Sequence, residues 1–179
     1  MLEVVDIDTG AAAPELTGDD HVPLMVRWGL SPAVVWQATF PDGRIFCEIK
    51  LSVPGGRMNG VTVLNLPKVE SASASGSATW DETGVPVLSL DTFDPNPDLV
   101  PQTNIVKFEC SPSAIIGAEW FELRFDDSDP VKWSSVEGIG FGIDDRDRVV
   151  AIRVPTVAAK DFPLIPTVDS LAQSDQADD

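Results

Sequence analysis

Short stretches of alternating apolar and polar residues recur along most of this chain, and proline or glycine separates one stretch from the next. In residues 120–125, Phe121, Leu123 and Phe125 fall on one face and the residues between them on the other. A period of two is typical of a β-strand that is buried on one side. The 15 prolines and 13 glycines keep the stretches too short for long helices. The chain is therefore predicted to be all-β.

This pattern predicts about ten strands, mostly antiparallel, in a sandwich or an open barrel with little or no helix. The expected strands cover residues 2–7, 24–28, 34–40, 44–51, 61–66, 85–90, 105–110, 120–125, 138–143 and 148–154. At most one short helical turn is expected within residues 113–119, because Gly117 and the flanking Pro112 argue against more. We expect loops at 10–20 and 91–104, and either a loop or an edge strand at 71–77.

The length of 179 residues suits one domain with a sizeable core. We expect a single β domain over residues 1–166 and an acidic, disordered tail over 167–179. No run approaches the ~20 apolar residues of a membrane span, and acids stand at the N-terminus where a signal peptide needs basic residues. A cytoplasmic location is therefore expected. Cys47 and Cys110 lie in strand-like runs and are expected to be buried thiols, with a bridge between them as the alternative.

Residue patterns used in catalysis and metal binding are sparse. His21 is the single histidine, and no HExxH, CxxC, GxSxG or P-loop motif occurs. Gly138, Gly140 and Gly142 lack the GxGxxG spacing of a dinucleotide-binding loop. Their period of two predicts a bare strand face against which an aromatic ring or another strand packs. The sequence therefore predicts no catalytic residues, no metal site and no cofactor, and hence a protein that is not an enzyme.

Two alternatives to a non-catalytic protein are a calcium site and a glycoside hydrolase. Residues 94–98 resemble the first half of an EF-hand loop, but Leu99 stands where the loop needs glycine and Ile105 where it needs a bidentate glutamate. A glycoside hydrolase would need two converging carboxylates and aromatic platforms. The candidate carboxylates are Glu48, Glu109, Glu119 and Glu122, with five tryptophans as candidate platforms.

The chain carries 29 acidic against 12 basic residues, a net charge of −17. Such a surface repels nucleic acid and anionic lipid and suits a basic protein partner. Two aspartate-rich turns with nearby tryptophans are the candidate interface, the tryptophans serving as anchors. The predicted partner-binding residues are Asp126, Asp127, Asp129, Asp144, Asp145, Asp147, Trp120 and Trp133. The alternative explanation of the same acidity is solubility alone.

Residues 122–155 resemble a small bacterial domain family of unknown function, whose members end in D-x-D-G-R-V-V-G-I-x-I. The counterpart here is DDRDRVVAIRV, residues 144–154, and the resemblance implies an antiparallel meander. As a small acidic β-domain without a targeting segment or a catalytic signature, the chain is also similar to bacterial toxin-immunity proteins. That similarity implies an immunity or inhibitor protein that neutralises a basic protein toxin. The alternative is a β-sandwich accessory or structural module of a glycan-binding or phage type.

Overall fold

The computed structural model describes residues 2–29, 33–72, 79–91, 93, 105–159 and 162–167. These residues contain fifteen strands and one helical turn, which confirms the prediction of an all-β chain. The strands are β1 Val4–Asp8, β2 Glu15–Thr17, β3 Leu24–Arg27, β4 Ala33–Thr39, β5 Ile45–Ser52, β6 Met58–Val63, β7 Val69–Ser71, β8 Glu82–Thr83, β9 Val85–Leu88, β10 Ile105–Glu109, β11 Ser113–Ile116, β12 Trp120–Arg124, β13 Lys132–Val136, β14 Ile139–Ile143 and β15 Val149–Pro155. The helical turn, α1, covers Thr156–Ala159.

Two large sheets and one small sheet contain all of these strands. The six-stranded sheet has the order β10-β4-β5-β6-β3-β2, the seven-stranded sheet β7-β11-β12-β15-β14-β13-β8, and the small sheet pairs β1 with β9. Neighbours are antiparallel except for three pairs at sheet edges, β10 with β4, β7 with β11 and β8 with β13. In the part of the chain that the structure describes, neither large sheet closes on itself. The fold is therefore a sandwich, one of the two predicted arrangements.

The core lies between the two large sheets. The alternating apolar residues of β12 point into it, as their spacing predicts. Ring contacts join the sheets: the centroids of Trp28 and Phe141 lie 5.4 Å apart, and those of Phe46 and Phe125 lie 5.9 Å apart. Each large apolar side chain buried here contributes about 1.5–3 kcal/mol relative to exposure. Packing of one sheet on the other is thus the main source of stability.

The small sheet connects the two large sheets along one side. Glu3, just before β1, pairs with Arg148 at the start of β15, and Val87 of β9 pairs with Arg57 between β5 and β6. Arg57 also donates a hydrogen bond to Asp8 across 3.0 Å. These contacts hold the N-terminal strand beside the turn that precedes β15.

Each of the ten predicted strands has a counterpart, and five further strands are found that alternation does not predict. The helical turn expected within 113–119 is wrong: β11 forms there, because its alternate residues are buried and its backbone pairs with both β12 and β7. The predicted loop 10–20 contains β2, which pairs with β3 at the sheet edge. These strands have only three or four residues, too few for a recognisable period of two.

Three sequence predictions fall wholly or partly outside the described residues. Ser71 ends β7, which is an edge strand of the seven-stranded sheet, and residues 73–78 lie outside the described part. The same is true of residues 94–104, which include the EF-hand-like segment, and of residues 168–179 in the predicted tail.

Candidate functional site

The two aspartate-rich turns lie side by side at one end of the seven-stranded sheet. The chain passes from β12 to β13 through residues 125–131 and from β14 to β15 through residues 144–148. Because β12, β15, β14 and β13 are consecutive antiparallel neighbours, both connections leave the sheet at the same end. The Arg148 guanidinium contacts Ser128 Oγ at 3.4 Å and joins the two turns. We call residues 125–131 and 144–148 together the acidic end.

Asp144 stabilises the second turn from inside the protein. Its side chain is 2% exposed, accepts backbone hydrogen bonds from Arg146 at 3.0 Å and Arg148 at 2.9 Å, and forms an ion pair with the Arg148 guanidinium. Burial alone would raise the pKa of this carboxyl, but the hydrogen bonds from Arg148 and the Arg146 backbone outweigh it and lower the pKa below its usual value. Asp126 accepts the Ser128 backbone N–H at 2.8 Å. Both aspartates therefore shape the turns.

The remaining predicted aspartates are exposed at the acidic end. They are Asp127, Asp129, Asp145 and Asp147. Asp129 pairs with Arg124 at 2.9 Å, and Asp147 pairs with Lys132 at 2.9 Å, which raises the pKa of that lysine through the hydrogen bond. Among the residues that the structure describes, Asp127 and Asp145 form no ion pair. These two carboxylates are the most available to a partner.

The acidic end is less negative than its aspartates alone would indicate. Its six aspartates are accompanied by Arg146 and Arg148 within the turns, and by one basic residue on each of the flanking strands β12 and β13. Two further exposed carboxylates border it, because Glu3 pairs with Arg148 and Glu109 shares a cavity with that arginine. The local excess of negative charge is therefore moderate, and it resides on exposed side chains.

A second cluster of polar and aromatic side chains lies on the outer face of the same sheet. The Glu122 carboxylate is fully buried; Arg124 Nε donates to one of its oxygens at 2.5 Å and Arg153 Nε to the other at 2.5 Å. The Arg153 guanidinium lies 4.5 Å from the Trp120 ring centroid and 4.0 Å from that of Trp133. We call these five residues the Glu122 cluster. Each buried charge in it has an opposite partner, which is the condition for tolerating such burial.

Strand register explains how this cluster assembles. Glu122 lies opposite Arg153 on β15, and Arg153 lies opposite Gly140 on β14. Because Gly140 has no side chain, the rings of Trp133 and Trp80 approach the strand there, and a β-carbon would overlap the Trp80 ring. The two rings meet edge to face, with centroids 6.1 Å apart. The bare glycine face predicted from the sequence thus packs aromatic rings, as its spacing indicates.

The structure places the two predicted tryptophan anchors at different distances from the acidic end. Trp133 lies on β13, two residues after the acidic end, whereas Trp120 begins β12 and lies about 16 Å from it along the strand, at ~3.3 Å per residue. Both rings are half-buried. The apolar side chains exposed near this end are instead Val131 and, on β1, Val5, at 65% and 61%. Sequence reasoning missed these two residues, because a single exposed valine leaves no pattern.

A cavity of about 240 Å³ opens at the acidic end between the two large sheets. Apolar residues of the N-terminus, β10, β15 and the end of β12 form most of its lining, and its polar groups come from Glu109, Asp126 and Arg148. Cys110 also lines it, and burial raises the pKa of that thiol to about 11. The thiol is therefore protonated at neutral pH. The cavity is thus mostly apolar, with a few charged side chains in its lining.

The four glutamates considered for glycoside hydrolysis lie in different places. Glu48 and Glu122 are on the outer faces of different sheets, with the core between them, and Glu48 accepts a hydrogen bond from Gln37 at 3.1 Å. Glu109 borders the acidic end, and Glu119 lies beside the first residue of β12. The paired carboxylates that this chemistry requires are not brought together by these four residues.

Metal-binding geometry is likewise missing from the described residues, where no three histidine, cysteine, aspartate or glutamate side chains converge on a possible ion. His21 is exposed, and its backbone N–H donates to Asp19 at 2.7 Å. Within the same residues, no helix has both the length and the apolar character to cross a membrane.

Comparison with known proteins provides no relative from which to infer a function. No protein-family profile matches the chain, and no curated protein is similar to it in sequence. The function is therefore inferred from the geometry of the acidic end itself.

Proposed function

We propose that this protein is a non-catalytic binding protein whose acidic end recognises a basic protein, and that it acts as an immunity or inhibitor protein against a basic protein toxin. The observation that carries the proposal is the apolar cavity of about 240 Å³ at that end. Protein interfaces depend on a few anchor side chains that fill desolvated pockets inside a polar rim. This cavity has carboxylates in its wall and Asp127 and Asp145 beside it, so it suits an apolar side chain flanked by lysine or arginine.

Charge supports the same assignment through the rate of association. A net charge of −17 attracts a basic protein over a distance of about one Debye length, roughly 8–10 Å at physiological salt. Exposed carboxylates also resemble phosphates to a basic groove, so an acidic protein can occupy the surface with which a nuclease binds nucleic acid. Acid residues held on short turns between strands lose little freedom on binding, which favours affinity.

A second candidate function is glycan binding by an accessory β-sandwich module. It is favoured by a concavity of about 210 Å³ whose lining includes Trp80, Trp120, Glu119 and Arg153. The Trp80 side chain is 37% exposed, and an exposed ring beside polar groups suits stacking on a sugar. Salt-insensitive binding to a polysaccharide, lost in W80A, would favour this function over recognition of a basic protein.

Co-expression tests the first proposal directly. Each reading frame that flanks the gene in its source genome is expressed in a bacterial host, with and without this protein. We expect one neighbour to arrest growth and wild-type protein to relieve the arrest. The double variant D127N/D145N should relieve it less, because it removes two exposed carboxylates and leaves the hydrogen bonds of Asp126 and Asp144 intact.

The matched control is D20N/E70Q, which removes the same charge from exposed positions outside the acidic end. With the purified pair, D127N/D145N should slow association several-fold at low salt, and the difference should shrink at ~0.5 M NaCl. The control should behave like wild type. Equal effects of both double variants would show that only the total charge matters, and the absence of any neutralised neighbour would reject the immunity function.

A further inference from the structure

Asn59 is a buried polar residue without a partner on the outer side of the six-stranded sheet. Its side chain is 3% exposed, yet within the described residues neither Nδ2 nor Oδ1 of its carboxamide forms a hydrogen bond. Buried polar groups in folded proteins nearly always have a hydrogen-bond partner, and an exception calls for an explanation. Asn59 lines a concavity of about 300 Å³, so the missing partner can be supplied from outside the chain.

A β-bulge places Asn59 at this concavity. Lys50 pairs with Gly60 and Leu51 with Met58, so Asn59 is the extra residue of β6. Bulges of this kind redirect a side chain out of the regular alternation of a strand and are common beside functional sites. Asn59 therefore lies at the concavity because of strand register and not because of a flexible loop.

Two cationic side chains flank the concavity. Gly60 lies opposite Lys50 on β5 and opposite Arg27 on β3, and all three residues line the space. Because β6 lies between β5 and β3, the backbones that carry the two cations are two strand spacings apart, roughly 9–10 Å. Gly60 has no side chain to fill the space between them. Arg27 contacts Met25 Sδ at 3.0 Å and approaches Glu15 only to 4.0 Å. Two cations and an unpartnered carboxamide thus line one concavity in a chain of net charge −17.

We propose that this concavity is a binding site for a small oxyanion, a carboxylate or a phosphate monoester, that also carries a hydroxyl group. Lys50 and Arg27 balance the negative charge, and Asn59 Nδ2 donates to one of the anion's oxygens. Asn59 Oδ1 accepts from the hydroxyl group, which completes the hydrogen bonding of the carboxamide. Thr62, opposite Met25 on the neighbouring row, lines the same space. The site lies on the other large sheet from the acidic end and does not depend on the proposed binding of a basic partner.

Amide-resolved NMR titration of the ¹⁵N-labelled full chain tests the proposal with three probes. They are inorganic phosphate, L-malate, which has a hydroxyl beside a carboxylate, and choline, a cation with a hydroxyl. We expect saturable shifts of the Asn59 side-chain amide and of the Gly60 and Thr62 backbone amides with L-malate, phosphate or both, and none with choline. A response to only one of the two anions identifies the acid group that the site prefers.

Two variants and one control separate a specific site from general attraction to cations. K50Q should weaken binding by about tenfold or more, since a hydrogen bond to a charged group is lost. N59L should abolish the shifts at residues 60 and 62 in a protein whose remaining spectrum is unchanged. K107Q removes the same charge from the exposed edge strand β10 of the same sheet and should leave affinity unchanged. Absence of saturable shifts with both anions, equal shifts with choline, or equal weakening in K50Q and K107Q would overturn the proposal.

Discussion

The outer faces of the two large sheets treat their buried polar groups in opposite ways. On the seven-stranded sheet, the Glu122 carboxylate is fully buried and both of its oxygens accept hydrogen bonds, from Arg124 and Arg153. On the six-stranded sheet, Asn59 is nearly as buried, and its carboxamide has no hydrogen-bond partner in the part of the chain that the structure describes. We call the first face complete, because its buried carboxylate has partners on neighbouring strands. We call the second face incomplete, because its buried carboxamide has none among the described residues.

Each face has a glycine on a central strand, and the two glycines differ in whether aromatic rings cover them. Gly140 is covered by the rings of Trp80 and Trp133, which pack over the strand beside the Glu122 cluster. Gly60 lies instead at an open concavity between two cations. A buried charge must be compensated for the chain to fold, whereas a neutral carboxamide costs much less. A buried carboxamide can therefore remain without a hydrogen-bond partner until a ligand binds, and the protein still folds.

The largest expected effect is on the complete face. Changing Glu122 to alanine removes the buried carboxylate that two guanidinium groups share, and among the described residues only Arg124 keeps another carboxylate, the exposed Asp129. We expect a loss of about 3–5 kcal/mol in the free energy of unfolding. Urea denaturation followed by tryptophan fluorescence measures it. Glu70→Gln, at an exposed position on β7, is the control and should change stability by less than ~0.5 kcal/mol. A cost below ~1 kcal/mol for E122A would show that the Glu122 cluster does not stabilise this face.

The next largest effect on stability is expected at the acidic end, where both carboxylate oxygens of Asp144 accept hydrogen bonds, as those of Glu122 do. D144N keeps an oxygen that accepts the backbone N–H groups but loses the ion pair with Arg148. We expect it to cost about 2 kcal/mol, the magnitude of a hydrogen bond to a charged group. D145N, one residue away and exposed, should be neutral in the same urea measurement. Equal costs for the two variants would contradict a structural role specific to Asp144.

The pH dependence of the same variant checks the cause. Folding lowers the pKa of Asp144 below its ordinary value, near 3.9 in an unfolded chain. The unfolded chain therefore takes up the proton first as the pH falls, so this stabilisation is complete above about pH 5 and declines as the pH falls through the unfolded and then the lower folded-state pKa. Wild type and D144N should differ in unfolding free energy at pH 7, and the difference should shrink steadily as the pH falls below about 4. A difference that stays constant with pH would assign the effect to packing.

A smaller effect is expected where the aromatic rings cover the strand. In G140A the new methyl group overlaps the Trp80 ring, and overpacking of this kind costs about 1–3 kcal/mol. Because Trp80 is partly exposed, its ring can move outward, so the cost should fall at the lower end of that range with a red shift in fluorescence. Gly55 has only Ser52 Oγ near its β-carbon position, at 3.8 Å, and G55A should leave both signals unchanged.

The smallest effect is expected on the incomplete face. In N59L an apolar group of similar size replaces a carboxamide that has no hydrogen bond to lose, so stability without ligand should change by less than ~1 kcal/mol. The contrast with E122A, at a similarly buried position, is the test of the comparison. A loss as large as that of E122A would mean that Asn59 has a partner within the folded chain.

Sequence alternation predicts most strands of four or more residues, but it does not predict β11 or β13. It places β5, β12 and β15 correctly because each carries several apolar residues at a period of two. It misses β2 and β8, which have three and two residues and depend on a neighbouring strand for their existence. It also misses β11, because two adjacent isoleucines after an alanine suit a helix as well as a strand. Tertiary pairing decides such cases.

The candidate site was predictable only as a set of aspartates in turns. Asp144 and Asp145 are adjacent and chemically identical, yet one is buried and the other exposed, and only the path of the turn distinguishes them. The burial of Glu122 depends on its register with Arg153, which lies far away in the sequence. Asn59 enters its concavity through a bulge that no local pattern indicates. Residue type can be read from the sequence, but cross-strand register cannot.

The small sheet has a consequence for the order of folding. Strand β1 is synthesised before the other described strands, yet Val4 pairs with Leu88, and Glu3 pairs with Arg148. At about 5–20 residues synthesised per second, seconds pass before these partners exist, and contacts between such distant positions slow the folding of β-rich domains to milliseconds or seconds. The N-terminal strand is thus synthesised early, but its pairing with other strands forms late. Until β9 and the start of β15 have been synthesised, β1 lacks its pairing partners. A chaperone that binds unpaired strands can bind β1 during that time.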